Sequence, residues 1–272
     1  MDENRRDFLK KAGVGTLVGL GVASAVGVVT EKEGKAASSS SMTSGKRLAM
    51  VIDTRKGPKA FQKCQEVCHA IHNVPEFTLE DGSPDLKNEI KWIWEEPYHN
   101  SFPSKSAEFM SDDLKSKKVM VLCNHCKSPS CVRVCPTQAT FKRESDGIVL
   151  MDFHRCVGCR FCMAACPYGS RSFNWKDPRT EDGKKVVVGS GSRDIDPKFP
   201  TRERGVVEKC NFCAERLAKG QIPACVEAAD DGALTFGDLN DPNSEVHKLL
   251  KENNTIQRKP ELGTGPSVFY IV

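Results

Sequence analysis

The 272 residues carry 40 basic and 36 acidic side chains, a net charge of +4 with no basic block, which excludes the footprint of a nucleic-acid binder. Hydrophobic residues reach 39% but aromatics only 7%, so apolar packing is a thin basis for the fold; thirteen cysteines, gathered in short runs, point to metal or disulfides instead. No nucleophile–base pair, carboxylate pair or substrate-pocket signature stands out, so bond chemistry is not expected of the chain itself.

At the amino terminus, Asn4-Arg5-Arg6-Asp7-Phe8-Leu9-Lys10 precedes an uncharged stretch over 12–29 that holds five glycines. An arginine pair ahead of a weakly apolar segment looks like a twin-arginine export signal, expected over 1–30. A stretch this short and glycine-rich barely spans a bilayer, and a retained anchor is the alternative. Ala23-Ser24-Ala25 offers a cleavage site. That route carries folded proteins, which suits a chain whose metal is inserted before export. It would place the chain on the extracytoplasmic face of the membrane, peripheral or anchored.

A Ser-, Ala- and Lys-rich linker is expected over 31–45, then a short strand over 48–52. Residues 75–115 mix proline, charge and the aromatics Trp92, Trp94 and Tyr98 without a period, and read as connecting structure with a partner-facing cluster. Strands are expected over 119–122 and 148–151, each leading into a cysteine run. Residues 176–204 form a polar insertion; its Gly189-Ser190-Gly191 lacks the Lys-Ser/Thr and the strand–helix frame of a phosphate loop. A helix through Glu252 should start at Asp241 as N-cap with Pro242 in its first turn, and a strand should close the chain over 267–272.

The clearest run is Cys156-x2-Cys159-x2-Cys162-x3-Cys166-Pro167. Three thiolates at steps of three wrap one face of a cubane, while the cysteine before proline serves a neighbouring cluster. Cys123-x2-Cys126-x4-Cys131-x3-Cys135-Pro136 repeats the plan. Crossing over the fourth cysteines yields two sets: Cys123, Cys126, Cys131 and Cys166, and Cys156, Cys159, Cys162 and Cys135. The outer runs are incomplete. Cys210, Cys213 and Cys225 take Cys68 and form a third full set. The remaining positions are Pro58, Phe61, Cys64 and Ala229, with a single thiol, so that site is dead and Cys64 is read as a small packed residue. Three [4Fe–4S] clusters are therefore expected. Zinc would favour two separated knuckles, and disulfides leave the two Cys-Pro ends unexplained. His125, inside a ligand loop, is read as solvent-exposed, with a hydrogen bond toward the cluster as the alternative.

The fold class expected is α+β, tandem bacterial-ferredoxin-like lobes built around [4Fe–4S] clusters, one lobe inserted in the other. The outer lobe would span 46–115 and 205–240 and the inner one 116–175, with the insertion at 176–204 and a C-terminal extension over 241–272.

Four runs in this order behind an export signal resemble the four-motif ferredoxin subunits of membrane oxidoreductases, such as the dimethyl sulfoxide, polysulfide and tetrathionate reductases. Asn174-Trp175-Lys176-Asp177-Pro178-Arg179 and Gly205-Val206-Val207-Glu208-Lys209, just before Cys210, extend the likeness. The loss of one site is more similar to the exported iron–sulfur subunits of sulfite-reduction-linked, menaquinol-oxidising (DsrMKJOP or Hme-type) complexes. The resemblance implies a non-catalytic electron carrier docked to an NrfD-type quinone-interacting membrane subunit, with a multihaem cytochrome c and heterodisulfide-reductase-like subunits completing the complex. A four-motif subunit serving a molybdopterin reductase is the alternative.

Overall fold

Strand β1 (Leu48–Asp53) is buried at every residue after Leu48, so both of its faces must be covered. Met50 and Ile52 enter the main hydrophobic core, whereas Ala49 and Val51 face a smaller one with Val246 and Ile271. The alternation follows from the period of two in a strand.

In the computed structural model, residues 45–105, 109–181, 184–185, 187–188, 195–200, 202–229 and 231–272 are described. The expected export segment, nearly all of the linker over 31–45 and Gly189-Ser190-Gly191 lie outside them. After β1 come helix α1 (Pro58–Ile71), β2 (Ile93–Pro97), β3 (Lys118–Leu122), α2 (Ser130–Arg133), β4 (Thr140–Lys142), β5 (Val149–Met151) and α3 (Phe161–Ala164). Then follow α4 (Ala214–Leu217), α5 (Ala224–Ala228), β6 (Leu234–Asp238), α6 (Glu245–Glu252), β7 (Thr255–Ile256) and β8 (Val268–Ile271).

The largest sheet has the order β6-β1-β8-β7. β1 runs antiparallel to β6, with Met50 opposite Phe236, and parallel to β8, with Met50 opposite Val268. Two hairpin-like pairs carry the central cysteine runs: β2 with β3, and β4 with β5. A further pairing joins Ser172–Phe173 to Val207–Glu208. The elements are short because the chain turns repeatedly at its cysteine loops, giving a mixed α/β architecture.

α1 had no counterpart among the expected elements. Pro58 stands at its first turn, and Phe61, Cys64 and Cys68 recur at i, i+3 and i+7 on one buried face, packed on α5. The aromatic expectation over 75–115 is corrected: Trp92 and Trp94 are 1% and 4% exposed and belong to the core beside β2. The start of α6 is corrected as well. Ser244 is its N-cap, accepting the His247 N–H at 3.2 Å, while Asp241 is used up in a preceding turn that accepts the Asn243 N–H at 2.8 Å.

Candidate metal centres

Three loops share one backbone device. In the first Cys-x2-Cys step of each loop the residue before the second cysteine is left-handed: His125 (φ 41°), Gly158 (φ 70°) and Phe212 (φ 55°). Gly158 has no alternative, since an added Cβ would collide with the Gly205 carbonyl. For His125 and Phe212 the conformation costs about 1–2 kcal/mol each, which persists only where packing over-determines it. That packing is mutual. The His125 ring stacks on Phe212 with centroids 3.6 Å apart and planes at 19°.

The expectation of an exposed His125 is thereby corrected: the side chain is 1% exposed. Val149 N–H donates to its Nδ1 at 3.2 Å, which leaves the proton on Nε2. Burial, with Lys209 and Arg171 nearby, holds it well below the usual histidine range.

Cys123, Cys126, Cys131 and Cys166 line one cavity together with Ser130, Tyr168 and Arg171. Burial and the surrounding Cys123, Cys131 and Cys166 push the Cys126 thiol up to about 12. Cys162 lies among Cys131, Cys156 and Cys135; burial raises its thiol. Around Cys135 burial is outweighed by donors, including the Thr140 N–H at 3.4 Å, and the thiol is lowered. Cys159, from the same loop as Cys156 and Cys162, is exposed.

Cys68 on α1, Cys210, Cys213 and Cys225 on α5 form the third group, all buried. Burial, then Cys213, Cys68 and Cys210, drives the Cys225 thiol well above its usual range. Thiols raised in this way stay protonated at neutral pH until a metal displaces the proton. Of the degenerate set, Phe61, Cys64 and Ala229 are packed in the main core, and the Cys64 S–H donates to the Cys225 carbonyl at 3.1 Å.

Several residues here were not picked out from the sequence. Arg171, 4% exposed, donates to Cys131 Sγ at 3.1 Å and to Thr140 Oγ1 at 3.1 Å. Despite burial, Cys131, Cys162 and Cys123 hold its guanidinium charged. Lys209, 2% exposed, donates to the Val149 carbonyl and, at 2.7 Å, to the Cys210 carbonyl. Neither cation has a carboxylate within ion-pair distance among the described residues. For Arg171 the one legible signal is isolation, since Arg160 and Arg171 are the sole charges over 156–175; Lys209, which follows Glu208, carries no such signal.

His72 caps α1 beside the third group. Its Nδ1 donates to the Cys68 carbonyl at 2.8 Å and its Nε2 to Glu215 at 2.8 Å. Burial opposes its charge, but Cys68, Cys213 and Glu215 raise it well above the usual range.

The buried pair Arg202–Glu208, 2.8 Å apart, ties these parts together. Glu208 accepts from Trp92 Nε1 at 2.8 Å and Asn174 Nδ2 at 2.5 Å, while Arg202 donates to the His72 carbonyl at 2.6 Å. The network fixes the end of α1, hence Cys68, against the strand that delivers Cys210.

Four-thiol groups accompanied by unpaired buried cations fit anionic iron–sulfur clusters. A buried charge without a partner costs several kcal/mol, and a thiolate-ligated metal group would supply the counter-charge.

A 4Fe-4S dicluster domain family matches residues 117–185 and 196–239. The chain is 40% identical over 247 residues to the Hdr-like menaquinol oxidoreductase iron-sulfur subunit 1 of Archaeoglobus fulgidus, covering 83% of each. It is 40% identical over 246 residues to the arsenate respiratory reductase iron-sulfur subunit ArrB of a Shewanella species, covering 83% of this chain and 96% of the relative. The iron-sulfur cluster-binding subunit of menaquinone reductase from Nitratidesulfovibrio vulgaris is 34% identical over 245 residues, covering 82% of this chain and 87% of the relative.

Proposed function

The chain belongs to the family of [4Fe–4S] electron-transfer subunits of menaquinol oxidoreductase and molybdopterin reductase-type complexes, and from that premise we propose that it is a three-cluster relay in a menaquinol-oxidising membrane complex of the DsrO type. The first cluster is assigned to Cys123, Cys126, Cys131 and Cys166, and the second to Cys156, Cys159, Cys162 and Cys135. Cys210, Cys213, Cys225 and Cys68 hold the third. A cubane, when bound, takes up and releases single electrons, at a potential that its surroundings tune.

The carrying observation is the pair of buried cations that have no carboxylate within ion-pair distance among the described residues. Arg171 touches Cys131 of the first set and is raised by Cys162 of the second. Lys209 bonds the Cys210 carbonyl of the third set, and Cys210 in turn feels Cys123 of the first. One cation thus stands at each junction, and the order along the relay is third, first, second. The chain's own residues hold the clusters and compensate their charge, and around the third set they exclude water. Phe212 N–H adds a 3.5 Å hydrogen bond to Cys210 Sγ.

The assigned sets correspond to two ferredoxin-like lobes, 116–175 within 46–115 and 205–240. The partners proposed are an NrfD-type quinone-interacting membrane subunit, a multihaem cytochrome c and heterodisulfide-reductase-like subunits, linked to sulfite or sulfate reduction. Export by the twin-arginine route puts the complex on the extracytoplasmic face. The menaquinol-oxidoreductase relative and the arsenate reductase relative are equally similar to this chain, so what supports this reading over a molybdopterin reductase is the degenerate fourth position, which keeps Cys64 alone.

The test is iron and acid-labile sulfide per chain in anaerobically purified protein. About twelve of each is expected, four per cubane. About sixteen would mean that outside ligands fill the degenerate position beside Cys64, and would return the reductase reading.

A further inference from the structure

We propose that the surface around Cys159 is the port through which electrons pass between this chain and an acidic redox partner protein, a reading that rests on the cluster assignment above. Cys159 is the one exposed cysteine of the thirteen, while every cysteine of the third group is buried. With the relay ordered third, first, second, the exposed thiol belongs to a terminal cluster.

The rim of this site is unlike ordinary surface. Val157 is 67% exposed, Phe161 60% and Val134 37%. Each is the chain neighbour of a cysteine in the same set: Cys156, Cys162 and Cys135. Single exposed apolar side chains are common, but three bordering one metal site mark a contact surface. α2 and α3, which carry Arg133 and Phe161, pack on each other and bring the two runs to one face.

Charge selects the occupant. Over 129–143 and again over 153–176 there is no aspartate or glutamate, although the whole chain holds 36. Arg133, Arg155 and Arg160 are exposed in these segments. Arg155 leans on Asp152 at 3.3 Å, and Arg160 lies 4.8 Å over the Trp175 ring, which orients its guanidinium. An apolar centre ringed by arginines steers and holds an acidic protein surface. A lipid headgroup layer would also attract arginines, but a terminal, solvent-facing cluster ligand is of use only opposite another redox centre. The step is the passage of one electron between this cluster and the one-electron centre of the partner. No bond forms or breaks, and the oxidation of one centre balances the reduction of the other.

The experiment is stopped-flow oxidation of the dithionite-reduced holoprotein by two probes, acidic cytochrome b5 and basic mitochondrial cytochrome c. At low salt cytochrome b5 should react faster, and its rate should fall about tenfold as salt rises to about 0.2 M. Arg133→Glu and Arg155→Glu should each slow cytochrome b5 about tenfold, with iron content and EPR spectra unchanged. Phe161→Ser should slow it without changing the salt slope, and Lys248→Glu, on α6, should stay within about twofold.

Faster reaction with cytochrome c, a salt-independent rate, or equal effects of Arg133→Glu and Lys248→Glu would overturn the proposal. So would co-sedimentation with phosphatidylglycerol vesicles that is abolished by Arg133→Glu while cytochrome b5 rates stay put, since that assigns the face to a membrane. Low iron in the unsubstituted protein would instead sink the cluster assignment, which the rates do not address.

Discussion

The second and third cysteine groups use the same donors in opposite settings. The second, as proposed, takes Cys156, Cys159 and Cys162 from a single loop and adds Cys135, and its Cys159 is exposed. The third collects Cys68 from a helix near one end of the described chain and Cys210, Cys213 and Cys225 from near the other, all buried. Burial, nearby charge and hydrogen bonds to sulfur are the levers that tune a cluster, so one chain can hold chemically identical groups at different potentials. Three of the four ligands of the surface set come from one short loop, whereas the buried set gathers remote segments, which a network such as Arg202–Glu208 holds together.

Cys68→Ser gives the largest effect and breaks the contrast outright. Iron should fall from about twelve to about eight per chain, with EPR signals of the first two clusters kept. Retention of the third signal would refute the crossover from α1.

Mild ferricyanide titration sharpens the contrast by accessibility. The cluster with exposed Cys159 should lose its signal several-fold faster than the buried third one, because oxidative attack follows exposure. Equal rates would mean that solvent reaches both.

Arg171→Met should lower the potentials of the first and second clusters by about 60 mV, near 1.4 kcal/mol per electron, because a cation that favoured the reduced form is gone. Redox titration followed by EPR reads it, and Arg171→Lys should recover most of the shift. Lys209→Met should act more weakly, about 30 mV on the first and third clusters, since the ammonium bonds carbonyls rather than sulfur. A shift in the second cluster would displace Lys209 from the junction assigned to it.

Cys64→Ser is the smallest change. Iron should stay at about twelve and unfolding should shift by within about 1 kcal/mol, because the hydroxyl can replace the S–H donor to the Cys225 carbonyl. Loss of a cluster would show that Cys64 is a ligand.

The strands over 48–52, 119–122, 148–151 and 267–272 were legible within about a residue, as apolar runs bounded by turn chemistry. α1 was not, because its buried stripe is written largely in cysteines, which read as ligands before they read as core. His125 and the two tryptophans went astray for a related reason. Whether a polar-edged aromatic is buried depends on what lies across from it, here Phe212 for His125 and Glu208 for Trp92.

Cysteine spacing alone determined the cofactor class and the grouping expected of twelve thiols, since a cubane demands thiolates at short, fixed steps. The tertiary structure decided that His125, Gly158 and Phe212 make the same left-handed turn and that Arg171 and Lys209 have no carboxylate partner among the described residues beside the cysteine groups. It also decided that Cys159 is the exposed thiol among them. Spacing along the chain carries the ligand chemistry, but charge compensation and exposure depend on distances through space between segments remote in sequence.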